Sequence, residues 1–239
     1  MASKPSWIER KAISQDVLKR IYASDQDMYP VPLSFERLQD WVAQSPELSV
    51  CYLDSAADGC DSPGDAVEIG AVIVLPLRKN QWEELLVGKL KEIEVDASIM
   101  FGSSDTDELQ DVGLHIFHIE RFEGCGRAKV QRFAEFVLED VREVATRYHW
   151  NILGYSALTA TPAGRRAFGR MSFKPTGYEE LFSQATSDST EMPEMGINML
   201  FKYPEGQGAD SLELSQSHHI VFKSAMVVKF GNGGFWDDK

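Results

Sequence analysis

The 239-residue chain is 43% hydrophobic and 26% charged, proportions of a globular protein rather than of a collagen-like or wholly disordered one. Its formal charge of −13 argues against a nucleic-acid or anionic-membrane partner, because both require clustered Lys and Arg; a cationic amine substrate is compatible with it, and so is plain solubility. Cys51, Cys60 and Cys125 form no CxxC pair, which disfavours a disulfide framework or a four-ligand zinc site, and with no apolar leader or membrane-length run in the chain a cytoplasmic location is expected, a nuclear one remaining open.

Taken in chain order, "SQDVLKRIYA" predicts a first helix, with Val17, Leu18 and Ile21 on one side, which "YPVPL" interrupts. "SFERLQDWVAQ" restarts a helix with Ser34 as cap and Phe35, Leu38, Trp41 and Val42 on one face. "LSVCYLD" and "AVEIGAVIVLPL" read as strands around an acidic turn-rich loop, so two helices and a hairpin open the chain. "QWEELLVGKL" predicts a short helix, "KEIEVDASIMFG" fits strand or irregular structure, and "VGLHIFHIE" is a strand. The pattern from Arg127 to about Tyr148 is the strongest helix in the chain. "WNILGYSALTA", "SFKPTGYEELFS" and "GINMLFKY" read as strands, "TPAGRRAFGRM" as a short helix with Pro162 in its first turn, and "HHIVFKSAMVVKF" as one or two further strands. No repeat or linker divides the chain, which indicates one mixed α/β domain.

Between the strand "GLHIFHIE" and the long helix stands "RFEGCGRAKVQRF", with two glycines one residue apart and flanking arginines. A glycine turn leading into a helix start makes an anion site, because the first backbone N–H groups have no internal partners and glycine lets the backbone close on phosphate oxygens. Arg121 and Arg127 would add charge-assisted contacts. A P-loop is excluded, since no Lys-Ser or Lys-Thr follows, and a dinucleotide fingerprint lacks its third glycine.

Arg121-Phe-Glu-Gly124-Cys-Gly126 resembles the Q/R-x-x-G-x-G/A signature of the GNAT superfamily of acyl-CoA N-acyltransferases, and the long helix, the strand "NILGYSAL" and "RMSFKPTG" follow in that family's order. The resemblance covers roughly Ser14 to Tyr203 in order of elements and is specific from about Leu114 to Gly177. It implies a single GNAT-like α/β (α+β) domain over residues 1–205, with 206–239 a C-terminal extension packed on the same domain, covering a sheet edge or pairing with a second subunit. The implied fold is a mixed, mostly antiparallel sheet with splayed fourth and fifth strands and helices on both faces.

The implied activity is transfer of an acetyl group from acetyl-CoA to a primary amine of a small molecule or peptide, by direct attack in a ternary complex. A non-catalytic acyl-CoA sensor and a protein N-terminal or lysine acetyltransferase stand as alternatives, in a monomer or homodimer. The implied cofactor-binding residues are Phe117, Ile119, Arg121, Glu123, Gly124, Cys125, Gly126, Arg127, Ala128, Thr161, Gly164, Arg165 and Phe168. Phe168 departs from the family pattern: it replaces the tyrosine that often protonates the departing thiolate, so that role passes to another residue, to water or to none.

For the proton accepted from the substrate, Glu120 and His118 are the candidate catalytic residues, Glu120 first. They share one strand face, with His115 on the other if pairing is regular. Both read equally as hydrogen-bonded structural groups, and Arg165 as a solvated arginine. Tyr29 and Tyr155 are candidate substrate-binding residues, and Asp25 and Asp27 read equally as holders of a substrate cation or as solvated loop residues. His218 and His219 alternate faces on a strand and make a poor metal site, so no metal is expected.

Overall fold

The computed structural model describes residues 7–28, 33–55, 66–103, 108–123, 130, 132–184, 197–204 and 220–231. Its elements run β1 (Ile8–Ala12), α1 (Gln15–Met28), α2 (Phe35–Gln44), β2 (Val50–Asp54), β3 (Val67–Arg78), α3 (Lys79–Leu86), a 3-10 turn at Glu92–Glu94 and α4 (Ala97–Met100). There follow β4 (Gln110–Arg121), α5 (Phe133–Ala145), β5 (Trp150–Thr159), α6 (Pro162–Arg170), β6 (Lys174–Gln184), β7 (Ile197–Lys202) and β8 (Ile220–Phe230).

Capping chemistry sets the helix starts that the sequence announces. Ser34 accepts the N–H of Arg37 ahead of α2, and Thr161 accepts that of Gly164 at the head of α6, with Pro162 in the first turn. The long helix begins later than its apolar pattern suggests. Arg132, immediately ahead of α5, is in the left-handed conformation at φ 59°, which a right-handed helix does not include, so α5 starts at Phe133; Arg127, where the pattern opens, lies outside the described residues.

All eight strands form one sheet in the order β1-β2-β3-β4-β5-β8-β6-β7. Only β4 and β5 run parallel, and every other neighbour pair is antiparallel. The hairpin of β2 and β3 gains an edge partner in β1, whose Ile-Glu-Arg-Lys-Ala alternates one buried residue with mostly exposed ones. The C-terminal extension expected from residue 206 contributes a strand to this sheet. Residues 220–230 form β8, seated between β5 and β6 rather than on an edge, because antiparallel pairing can recruit a strand from anywhere in the chain.

Each face of the sheet carries its own core. Val17, Leu18 and Ile21 of α1, Leu38 and Trp41 of α2, and Trp82, Leu85 and Leu86 of α3 pack on one face, while Phe133, Val137, Val141 and Val144 of α5 and Phe168 of α6 pack on the other. Burying each large apolar side chain contributes about 1.5–3 kcal/mol, so together these rows fix the helices on the sheet. Two contacts also orient the segment joining β3 to β4. The Trp41 indole donates to the Val95 carbonyl at 3.0 Å, and Lys91 Nζ sits 3.7 Å from the Phe201 ring centroid while donating to the Tyr178 hydroxyl at 3.0 Å. The 3-10 turn at Glu92 is thus pinned on both flanks.

Candidate active site

The parallel ladder of β4 and β5 stops early. Gln110–His115 pair with Trp150–Ser156, and beyond that point neither strand continues the ladder toward the other. The strands diverge, leaving backbone donors and acceptors on the facing edges of Ile116–Arg121 and Ala157–Thr159 outside any ladder between them. A cleft of about 250 Å³ opens there. Asp25, Leu33 and Glu92 line it from the α1 side, and Gly164 and Phe168 line it from α6 on the other, so it passes through the sheet between the two strands.

Beside the cleft, β4 is irregular. Its register with β3 shifts between the pairs Ile73–His118 and Val74–Ile116, so Phe117 is an extra residue on β4. Such a bulge reverses the alternation beyond it. His115 and His118, expected on opposite faces, consequently both meet groups on the α1 side, and Phe117 packs edge-on against Trp41 with centroids 5.0 Å apart.

His118 is 5% exposed and bracketed by two carboxylates. Nδ1 lies 3.1 Å from Asp25 Oδ1, and Nε2 lies 3.3 Å from Glu120 Oε2 without the alignment of a hydrogen bond. Burial alone pushes the imidazole down, but Asp25 and Glu120 together more than reverse this and raise it to about 9. The adjoining His118 imidazole in turn holds the half-buried Glu120 below the usual carboxylate range, against the effect of burial. At neutral pH, then, His118 carries a proton and Glu120 is an ionised, weakened base. Asp25, expected to hold a substrate cation, bonds His118 through Oδ1 and leaves its buried Oδ2 without a hydrogen-bond partner among the described residues.

A second histidine reaches the same cleft through a carboxylate. His115, wholly buried, bonds Glu92 Oε1 through Nε2 at 2.6 Å and Ser156 Oγ through Nδ1 at 2.9 Å. Ser156 Oγ also accepts the Trp82 indole N–H at 2.8 Å. Burial raises the Glu92 carboxyl, with Asp25 adding to the rise and His115 opposing it. Glu92 and Ser156 stand outside the expected site. Ser156 lies in an apolar strand, and Glu92 is one acid in a polar stretch without periodicity, so the sequence carries no signal for either.

The described residues among those expected to bind the cofactor divide into three groups. Phe117, Ile119, Thr161, Gly164 and Phe168 line the cleft with His118 and Glu120. Arg121 instead lines a separate hollow of about 230 Å³ together with Arg132, Phe133 and Arg170, where Arg132 also pairs with Glu135 at 2.9 Å. Arg165 points its guanidinium at the Lys223 carbonyl at 3.4 Å, and Glu123 is exposed at the end of β4.

Gly124, Cys125, Gly126, Arg127 and Ala128 lie outside the described residues, as does Tyr29. Tyr155, expected in the acceptor site, packs instead with the α5-side core, because its place on β5 faces away from α1. Burial there raises its hydroxyl to about 12.

No family model matches the chain, and no curated protein matches it in sequence. Among solved structures it is similar to Arabidopsis thaliana NAA60 in complex with acetyl-CoA, at 17% identity and TM-score 0.46, over 95% of this chain and 99% of that one. It is similar to mosquito arylalkylamine N-acetyltransferase like 5b at 10% identity and TM-score 0.46, over 94% of this chain and 100% of that one. It is also similar to the ribosomal-protein-S18-alanine N-acetyltransferase from Escherichia coli at 8% identity and TM-score 0.39, over 96% and 99% of the two chains.

Proposed function

We infer that the chain is an acyl-CoA-dependent N-acetyltransferase of the GNAT kind, acting on a primary amine of a small molecule or peptide. The observation that carries this reading is the cleft through the sheet at the divergence of β4 and β5, lined by chemistry-bearing groups and opening toward both helical layers. A transfer reaction needs a donor and an acceptor to meet, and a passage reached from both faces of one sheet provides the meeting point. The backbone edge of Phe117–Ile119, free of any ladder with β5, suits an extended arm rich in amides, which can complete the interrupted pairing. Arg121, Arg132 and Arg170 around the neighbouring hollow suit the diphosphate of the same ligand.

Acetyl-CoA supplies an activated acyl thioester. The chain's own contributions are binding, orientation and proton movement. With Phe168 at the family's usual tyrosine position, the proton for a departing thiolate falls to His118. It carries that proton at neutral pH, and its Nε2 has no hydrogen-bond acceptor among the described residues. Asp25 orients the ring from its far nitrogen, and Glu120 balances its charge.

Thermal unfolding with acetyl-CoA, CoA and ATP tests the reading. The first two should raise the transition and ATP should not, since a ligand that binds only the native state stabilises it by mass action. An unmoved transition with both CoA species overturns the proposal. Thiol release over a panel of amines then separates an enzyme from a sensor, which would bind CoA and turn over none of them.

A further inference from the structure

We propose that Glu92 is the group that takes the proton from the acceptor ammonium, with His115, Ser156 and Trp82 as a buried chain that aims it. This rests on the acetyltransferase reading and adds to it the acceptor side of the chemistry. An amine is protonated at neutral pH and attacks only after losing a proton, so the cleft needs a base distinct from the proton donor.

Three observations converge on Glu92. It is 7% exposed, and what it lines is the cleft. His115 engages one of its two carboxylate oxygens, Oε1. The remaining hydrogen bonds are compatible with one relay: the Trp82 N–H donates to Ser156 Oγ, and in the tautomer that accepts the Ser156 hydroxyl at Nδ1, His115 Nε2–H donates to an ionised Glu92. In that tautomer the side chains of Trp82, Ser156 and His115 are joined in one run of hydrogen bonds that ends on Glu92.

The alternatives in the same cleft are poorly placed. His118 already holds its proton, Glu120 is weakened as a base by His118, and Asp25 is engaged by the same imidazole. Glu92 is shifted the other way, by burial first and by Asp25 second, which brings its carboxyl nearer to working pH. The titratable groups that act on it are His115 on β4, which lowers it, and Asp25 on α1, which raises it; Glu92 in turn raises Tyr178 on β6, His118 and Glu120 on β4 line the same cleft, and Lys91 and Glu94 flank it on its own segment. Lys91, held among Tyr178, Phe201 and Tyr203, fixes the turn from which Glu92 projects.

Protons and bonds balance. Of the three ammonium protons, one passes to Glu92 and on to solvent, and one remains in the amide. The third restores His118 after it has protonated the leaving sulfur, while the C–N bond forms and the C–S bond breaks.

Glu92→Gln keeps an oxygen for His115 Nε2–H and removes the base. With an ordinary primary alkylamine near neutral pH, kcat should fall by about 10²–10⁴-fold, with CoA stabilisation and the KM for acetyl-CoA unchanged. With a fluorinated amine already neutral at that pH, the loss should shrink at least tenfold.

An infrared difference spectrum between wild type and Glu92→Gln should show a carboxyl titrating above the ordinary glutamate range, separable from Glu180 because Glu180 is present in both. Should Glu92→Gln fail to fold, Ser156→Ala gives the second reading. Loosening the bond from His115, which holds Glu92 down, should move the acidic limb of kcat to higher pH and leave the KM for acetyl-CoA in place.

Equal losses for both amines, wild-type turnover by Glu92→Gln, no such carboxyl, or an unmoved limb overturns the proposal. If wild type neither binds CoA nor releases thiol, the acetyltransferase reading falls and takes this inference with it. Intact turnover with an indifferent Glu92 sinks this inference alone.

Discussion

Replacing Asp25 with asparagine removes one of the two charges that hold the His118 imidazolium while leaving its burial in place. The ring stands at about 9 against an ordinary 6.5, and each unit between the two is worth about 1.4 kcal/mol, so the carboxylates outweigh burial by on the order of 3 kcal/mol. Asp25 is the better aligned partner, at 3.1 Å from Nδ1, and one opposite charge at this range is worth about 1–3 pH units. Asp25→Asn should therefore lower the titration of His118 by about 1–2 pH units. The assay is imidazole NMR across pH, with the signal assigned by its loss in His118→Gln. Because the folded value lies above the unfolded one, the stabilisation is complete below about pH 6.5 and is lost as pH rises through about 9; the variant should lose less stability over that window. A His118 that still titrates near 9 without Asp25 refutes the clamp, and with it the assignment of His118 as proton donor.

Glu180, wholly buried and accepting the Tyr178 hydroxyl at 2.7 Å, is raised by burial to about 8 from an ordinary 4.5, so its stabilising proton is lost as pH climbs through that interval. Glu180→Gln should raise stability at about pH 8 by roughly 2 kcal/mol and flatten the pH dependence of urea unfolding, whereas an unchanged slope counts against it. Gly113→Ala would put a Cβ 2.0 Å from Trp82 Cδ2 on a strand that cannot retreat, and should cost about 3 kcal/mol by the same denaturation; a loss below 1 would mean that the indole moves freely. Phe168→Tyr adds a phenolic hydroxyl at the cleft, at a site packed against Phe173 with ring centroids 4.9 Å apart. If His118 is the donor, kcat should change less than about threefold, and a tenfold gain would show that the proton was missing.

What could be read in advance was whatever local chemistry decides. Ser34, Thr161 and Pro162 mark helix starts through caps that act within three residues, and the apolar runs of β3, β4 and β5 announce themselves by composition. The edge strand β1 escaped because Ile-Glu-Arg-Lys-Ala buries only one residue and has its meaning only opposite β2. The site was half legible. His118 and Glu120 could be paired by their spacing, but the bulge at Phe117 that turns His115 to the same side arises from register with β3, which a single strand does not encode. Arg132 sets the start of the long helix at Phe133 through a backbone conformation that its side chain does not advertise. Glu92 became visible only when Trp41, Lys91 and His115, from three separate elements, closed around it.

The place of β8 has a bearing on how the protein is made. During synthesis, β1 to β7 emerge before it, and until it arrives β5 and β6 each present a bare hydrogen-bonding margin to the cell. A ribosome-bound intermediate would thus hold two half-sheets awaiting one bridging segment, and stalling at that stage offers two sticky seams to other chains. Chaperone dependence during translation should accordingly concentrate in the interval before residues 220–230 are released.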